Sequence, residues 1–165
     1  MTADQTAQPN PDESSGVKIL PPLVYVAGLA AGFLVQWAWP LPLVPAAAAL
    51  PARLAGWVLV AAWLALCIWA LVTFQRAGTT PYPTRPTTAL TFDGPYRFTR
   101  NPMYLSFAAM QTGVALIANA LWPLVFLLPV LIAIRWLVID REERYLERKF
   151  GEEYLAYKRR VRRWL

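Results

Sequence analysis

Apolar and polar positions fall into long blocks along the 165-residue chain rather than alternating. Residues 19–39 read ILPPLVYVAGLAAGFLVQWAW, with Gln36 the one strongly polar side chain. As a helix this run reaches roughly 30 Å, the thickness of a bilayer's hydrocarbon core. Trp37 and Trp39 close it, where amphipathic rings favour the headgroup level. The next segment, PLPLVPAAAALP, is too interrupted by proline for a span and predicts a surface loop or a short re-entrant helix. Residues 54–74 form a second uncharged run, bounded by Arg53 and by Gln75-Arg76. Residues 103–139 form a third, too long for one span and suited to two, with Arg135 its only charge. Asn119 and Trp122-Pro123 mark the hairpin between them. The pattern predicts an all-α, polytopic membrane bundle of about four transmembrane helices.

The segments flanking the runs set the rest of the layout. Residues 1–17 are polar and acidic, without the basic start and small-residue cleavage site of a secretory signal, and read as a flexible tail. Residues 18–165 read as one domain. Beyond 139 the chain becomes strongly charged and helical. Asp140 and Arg144 are spaced as an i,i+4 pair, and Gly151 is placed to cap this helix. Tyr154, Tyr157, Val161 and Trp164 then recur at roughly helical spacing with basic residues between them. That predicts an amphipathic helix on the lipid interface, an anchor rather than part of a reactive site.

Composition narrows the class. Hydrophobic residues make up 57% and charged residues 16%, so a disordered chain and a soluble nucleic-acid binder are excluded. One cysteine allows no internal disulfide, and with no histidine there is no His-ligated metal site and no Ser-His-Asp triad; no metal is expected. The net charge of +6 is unevenly spread. Arg76, Arg85, Arg97 and Arg100 lie in the middle loop and nine Lys and Arg come after residue 139, whereas the opposite connections hold only Arg53. The positive-inside rule then makes both termini and the middle loop cytoplasmic, as in a bacterial inner membrane.

Two polar segments can carry chemistry. In the middle loop, Pro81, Pro83 and Pro86 stiffen the chain and Asp93-Gly94-Pro95 reads as a turn. Asn101 is a favoured N-cap and Pro102 a favoured first helical residue, so a helix starts there; with Arg100 beside it, that start is also an anion site. In the second segment Glu142 and Glu143 lie just beyond the last span. Arg135 and Glu142 are seven residues apart, which on a regular helix puts them on one face, and an ionisable residue inside a span is a functional candidate. Cys67 reads as packing, as do Trp57, Trp63 and Trp69. Gly28 and Gly32 make a weak G-x-x-x-G contact signal, and Gln111, Thr112 and Asn119 fit interhelical hydrogen bonds as well as a cavity lining.

GPYRFTRNPMYLS, an apolar hairpin, and then EERYLERKFGEEYLAYKRRV together resemble the isoprenylcysteine carboxyl methyltransferase and phospholipid methyltransferase superfamily of membrane enzymes. The resemblance covers about residues 93–161. It implies a helical membrane bundle whose C-terminal half encloses S-adenosylmethionine, with a separate opening for a lipophilic acceptor drawn from the membrane lipids. The family's Arg-His-Pro-x-Tyr motif falls on Arg100, Asn101, Pro102 and Tyr104, and its paired glutamates on Glu142 and Glu143. Its Gly-Pro-Tyr-Arg segment falls on residues 94–97, including Tyr96. These residues are the expected cofactor contacts, with Tyr96, Phe98 or Tyr104 against the adenine or sulfonium. Glu142 and Arg135 are the expected catalytic pair, Arg135 orienting the acceptor or holding Glu142. Asn101 departs from the family's His, and Asn binds hydrogen-bond partners but does not titrate near neutral pH. Two other readings fit the chain less well: an NADPH-dependent membrane protein akin to the sterol reductases, and a non-enzymatic membrane anchor or subunit.

Overall fold

A computed structural model of the chain describes residues 15–17, 19–79 and 87–164. Most of the expected N-terminal tail, together with Pro81, Pro83, Arg85 and Pro86, lies outside the described residues. Six helices are described: α1 Pro21–Ala38, α2 Ala49–Arg76, α3 Pro102–Ile117, α4 Leu121–Val125, α5 Leu127–Ile134 and α6 Asp140–Arg160. A 3-10 turn, Ala46–Ala48, leads into α2, and a π-helical turn, Arg135–Ile139, joins α5 to α6. The all-helical class expected from the hydropathy pattern is the one observed, with three helical stretches long and apolar enough to cross a membrane. They are Pro21–Ala38, Ala46–Arg76 and the apolar part of Leu121–Arg160. α3 is apolar but short, about 24 Å at 1.5 Å per residue.

The prolines show why the helices start where they do. The first N–H groups of a helix have no partner inside it, so a residue without an N–H costs little in the first turn. Pro21 and Pro22 open α1, Pro51 sits in the first turn of α2 and Pro102 opens α3. Pro123 and Pro129 take the same place in α4 and α5, on either side of the break at Phe126. For this reason α2 begins at Ala49, five residues before the uncharged run that predicts it, and takes in part of the expected surface loop.

Close backbone contacts hold the bundle together. Gly28 and Gly32 lie on the buried face of α1, and a Cβ at Gly32 would come within 2.5 Å of Pro123 Cα. A Cβ at Gly28 would collide with Val130. The G-x-x-x-G pair is thus a true helix contact. Gly56 of α2 meets Gly113 of α3 as closely: a Cβ at Gly56 would lie 2.6 Å from the Gly113 carbonyl oxygen. Tyr25, Val130, Ile134, Val138 and Ile139 form the buried core, and the Tyr25 hydroxyl donates to the Tyr104 carbonyl at 2.9 Å.

The hairpin turns at Asn119, whose φ is 47°. Its side chain accepts from Val44 N–H at 2.9 Å and donates to the Val44 carbonyl at 3.1 Å, pinning the loop between α1 and α2 to that end of the bundle. Gln111 donates to the Pro123 carbonyl at 2.9 Å. Asn119 and Gln111 therefore serve the fold, at the end remote from the charged segments.

Candidate functional site

The opposite end of the bundle gathers the polar segments. The 3-10 turn Gly94–Arg97, the start of α3, the first turns of α6 and the chain after Gly151 converge there on one cavity of about 880 Å³ including its mouth. Arg100, Asn101, Pro102, Tyr104, Glu142, Glu143 and Tyr96 all line it. Two segments separated by the whole hairpin are brought within hydrogen-bond distance: the Tyr104 hydroxyl lies 2.9 Å from each carboxylate oxygen of Glu142.

The two adjacent glutamates have different surroundings. Glu143 is buried, and Arg163 holds it at both carboxylate oxygens, Nε at 3.0 Å and Nη2 at 2.7 Å. Arg100 Nη1 lies 3.2 Å from the same carboxylate, and Lys158 flanks it. Glu142 accepts from the Tyr104 hydroxyl and otherwise faces the cavity. Burial raises the Glu142 carboxyl to about 7, and the charge of Glu143 pushes the same way, while the Tyr104 hydrogen bond opposes them. The Nε of Arg100 is buried and has no hydrogen-bond partner among the described residues. Nη1, within ion-pair distance of Glu143, likewise makes no hydrogen bond among them, so a guanidinium fork suited to anions is left with donors unused beside the cavity.

Asn101 is the N-cap of α3, as expected from the sequence, but its side chain does not cap the helix. Its amide donates instead to the Arg163 carbonyl at 2.9 Å. The Thr99 hydroxyl donates to that same carbonyl at 3.1 Å, and the Arg100 N–H to the Arg162 carbonyl at 2.9 Å. The C-terminal segment is therefore laced along residues 99–101.

Several expectations change here. Tyr154 and Tyr157, assigned to the lipid interface, are buried and line the cavity. The Tyr157 hydroxyl donates to the Tyr96 carbonyl at 2.8 Å, and Phe92 packs on the Tyr157 ring at 4.7 Å. The cause is Gly151, whose φ of 50° kinks α6 and turns its second half back over the site. Burial raises the hydroxyls of Tyr96, Tyr154 and Tyr157, which keeps them as neutral donors near pH 7. Asp140 pairs with Arg163 at 3.1 Å rather than with Arg144. Phe98 is exposed and packs on Trp69, outside the cavity.

Arg135 does not join the cavity. The π-helical turn that begins at Arg135 holds an extra residue, which rotates the later residues by about 100° relative to a regular helix. The seven-residue spacing then no longer keeps Arg135 and Glu142 on one face. Arg135 is exposed and lines a second, apolar groove with Leu105, Ala108, Leu131, Ile132 and Trp164. Thr99, Tyr154, Tyr157 and Arg163 are site residues that the sequence motifs did not single out.

The model of the phospholipid methyltransferase family matches residues 51–153, well over half of the chain, with the whole of the first motif segment and the paired glutamates that open the second. The chain belongs to the phospholipid methyltransferase family. An uncharacterized protein of Haemophilus influenzae is 70% identical over 27 residues, which cover 16% of this chain and 43% of that protein. No solved structure matches the chain. Within the phospholipid methyltransferase frame, the cavity unites Tyr96, Arg100, Asn101, Pro102, Tyr104, Glu142 and Glu143, while Phe98 and Arg135 lie outside it.

Proposed function

We propose that the chain is an integral membrane methyltransferase that uses S-adenosylmethionine and methylates a lipophilic acceptor. The observation that carries this reading is the meeting of Tyr104 and Glu142 at 2.9 Å in a cavity that also holds Arg100. Family membership supports methyl transfer as the reaction class.

The residues present fit the cofactor. The Glu142 carboxyl faces the cavity, has no cationic partner among the described residues, and suits the ammonium of the amino-acid moiety. The unused Nε of Arg100 suits its carboxylate, at a donor that is costly to leave unmade. The Tyr96, Tyr154 and Tyr157 rings offer faces for the adenine or the sulfonium. When bound, the cofactor supplies an activated methyl group on sulfur.

The chain's own part is positioning and the exclusion of water. Glu143 is engaged by Arg100 and Arg163, so it orients Arg100 and closes the C-terminal segment over the cavity. Asn101 acts in this reading by holding that segment through the Arg163 carbonyl, a role that needs a donor and no titration. Glu142 is the group that touches the cofactor. A displacement from an already activated donor needs alignment and a dry site more than it needs a base. The density of basic residues at the site end favours the cytoplasmic side for it.

Calorimetric titration of the detergent-solubilised protein with S-adenosylhomocysteine tests the assignment. Saturable one-to-one binding that is weakened at least tenfold in Glu142→Gln is expected. No binding by the wild type, or full affinity in Glu142→Gln, would remove it.

A further inference from the structure

Asp140, Glu143 and Glu147 follow one another at helical spacing, so the first half of α6 carries an acidic stripe along one face. The chain that returns after Gly151 answers it with cations. Lys158 reaches back across the kink to Glu147 and lies 3.9 Å from Glu143. Arg163 pairs with Asp140 at 3.1 Å and with Glu143 at 2.7 Å. Among the described elements no helix packs broadly on α6, whose main neighbour is the π-helical turn it continues. The returning half is thus fastened largely by charge, together with the hydrogen bonds that Thr99, Asn101 and Tyr157 donate. Gly151 supplies a pivot. A Cβ there would meet nothing within 4 Å, so what favours glycine is the backbone angle alone.

We propose that residues 152–164 form a cover hinged at Gly151, and that Lys158 is the positioning residue that latches it over the cavity. Latched, the cover supplies Tyr154 and Tyr157 to the cavity wall. Lys158 and Glu147 lie outside that wall, so they act on the site only through the cover. The two ends of the latch differ in strength. The side chains of Lys158 and Glu147 are 36% and 30% exposed, so salt screens their pair. The Glu143 side chain is only 7% exposed, and its bond to Arg163 is the firmer one. The Lys158 end therefore releases first, the second half of α6 swings at Gly151, and the two tyrosines leave the wall. This goes beyond the proposed methyltransferase reading by giving the site a moving part, and it rests on that reading only for the ligand on which the cover closes.

Spin labels on cysteines placed at Gln75 and Arg159, both exposed, in a Cys67→Ala background report how far the cover stands from the end of α2. Double electron–electron resonance is recorded on the full chain in phosphatidylcholine nanodiscs. One narrow distance is expected at about 0.1 M salt, and a second, longer one at about 1 M, where the Debye length has fallen from about 10 Å to about 3 Å. Glu147→Gln and Lys158→Met are each expected to show the longer distance already at low salt, and Lys158→Arg to keep the single short one. S-adenosylhomocysteine is expected to return Glu147→Gln to the short distance. Its affinity for that variant is expected to be about tenfold weaker, as a latched fraction of about a tenth would give. Thermal melting shows whether each variant is folded, and the salt series on the otherwise unaltered chain needs no latch variant. Distances that are the same at both salt concentrations and in both latch variants overturn the proposal. Absence of S-adenosylhomocysteine binding by the wild type would count against the methyltransferase reading, while the distances decide the cover on their own.

Discussion

Glu142 and Glu143 are neighbours in sequence with opposite electrostatic situations. Glu143 is ringed by Arg163, Arg100 and Lys158, whereas Glu142 is met by a neutral hydroxyl and faces the cavity. A helix sets consecutive residues about 100° apart, so one faces the C-terminal segment and the other the cavity. Most of the functional consequences stem from this division.

Replacing Glu142 by Gln keeps the size and the capacity to accept from Tyr104 while removing the charge. S-adenosylhomocysteine affinity is expected to fall by a factor of about 10 to 100, the range of a hydrogen bond to a charged group. The melting temperature is expected to hold or rise, because a buried carboxyl is replaced by a neutral amide. Calorimetry and a thermal melt check the two halves separately.

The raised carboxyl of Glu142 also gives a pH dependence. Below about 7 the group is protonated in the cofactor-free protein, so pairing with an ammonium first requires loss of that proton. Affinity for S-adenosylhomocysteine is therefore expected to strengthen as pH rises towards 7 and then to level off. Stability runs the other way. The folded chain holds a proton that the unfolded chain has lost between about 4.5 and 7, so this group's contribution weakens as pH rises through that window. In Glu142→Gln both dependences are expected to flatten. Titrations at several pH values from about 5.5 to 8.5, spanning the window of that proton loss, show whether they do.

Glu143→Gln has a different expected signature. It leaves Arg100 and Arg163 without their shared carboxylate, and breaking a buried pair costs about 3 kcal/mol. Reversible unfolding in mixed micelles measures this. The loss is expected to be clearly larger than for Glu142→Gln, and equal losses would contradict the division of roles.

Asn101→Ala removes one of the two side-chain donors to the Arg163 carbonyl and leaves Thr99 in place. The expected stability loss is about 1 kcal/mol. Protease cleavage near residues 158–163 is expected to speed up, as the C-terminal segment is held less firmly. Unchanged cleavage would show that Asn101 does not hold it.

Much of the fold was legible because the bilayer demands long apolar runs and the prolines lie where helices begin. The hairpin at Asn119 and the two motif segments were legible for the same local reasons. The orientation of the chain from Arg135 onward was not. A glycine at 151 signals a break, but its sequence does not say which way the chain turns after it. With φ at 50° the turn carries Tyr154, Tyr157 and Arg163 inward, and an apparent lipid-facing stripe becomes the cavity wall. The face shared by Arg135 and Glu142 was misjudged for a related reason. A spacing of seven implies one face only if every turn is an α turn, and the chain between them opens with a π turn. Arg163 carried no signal beyond being one of nine basic residues after 139.

The central claim is methyl transfer from S-adenosylmethionine to a lipophile, with Glu142 in contact with the cofactor. The most direct test incubates membranes bearing the chain with S-adenosylmethionine labelled in its methyl group and counts the label in the organic extract. Label above that of membranes without the chain, and at least tenfold less of it with Glu142→Gln, is the expected result. Wild-type membranes that bind S-adenosylhomocysteine no better than controls and pass no label to any extractable compound would contradict the claim.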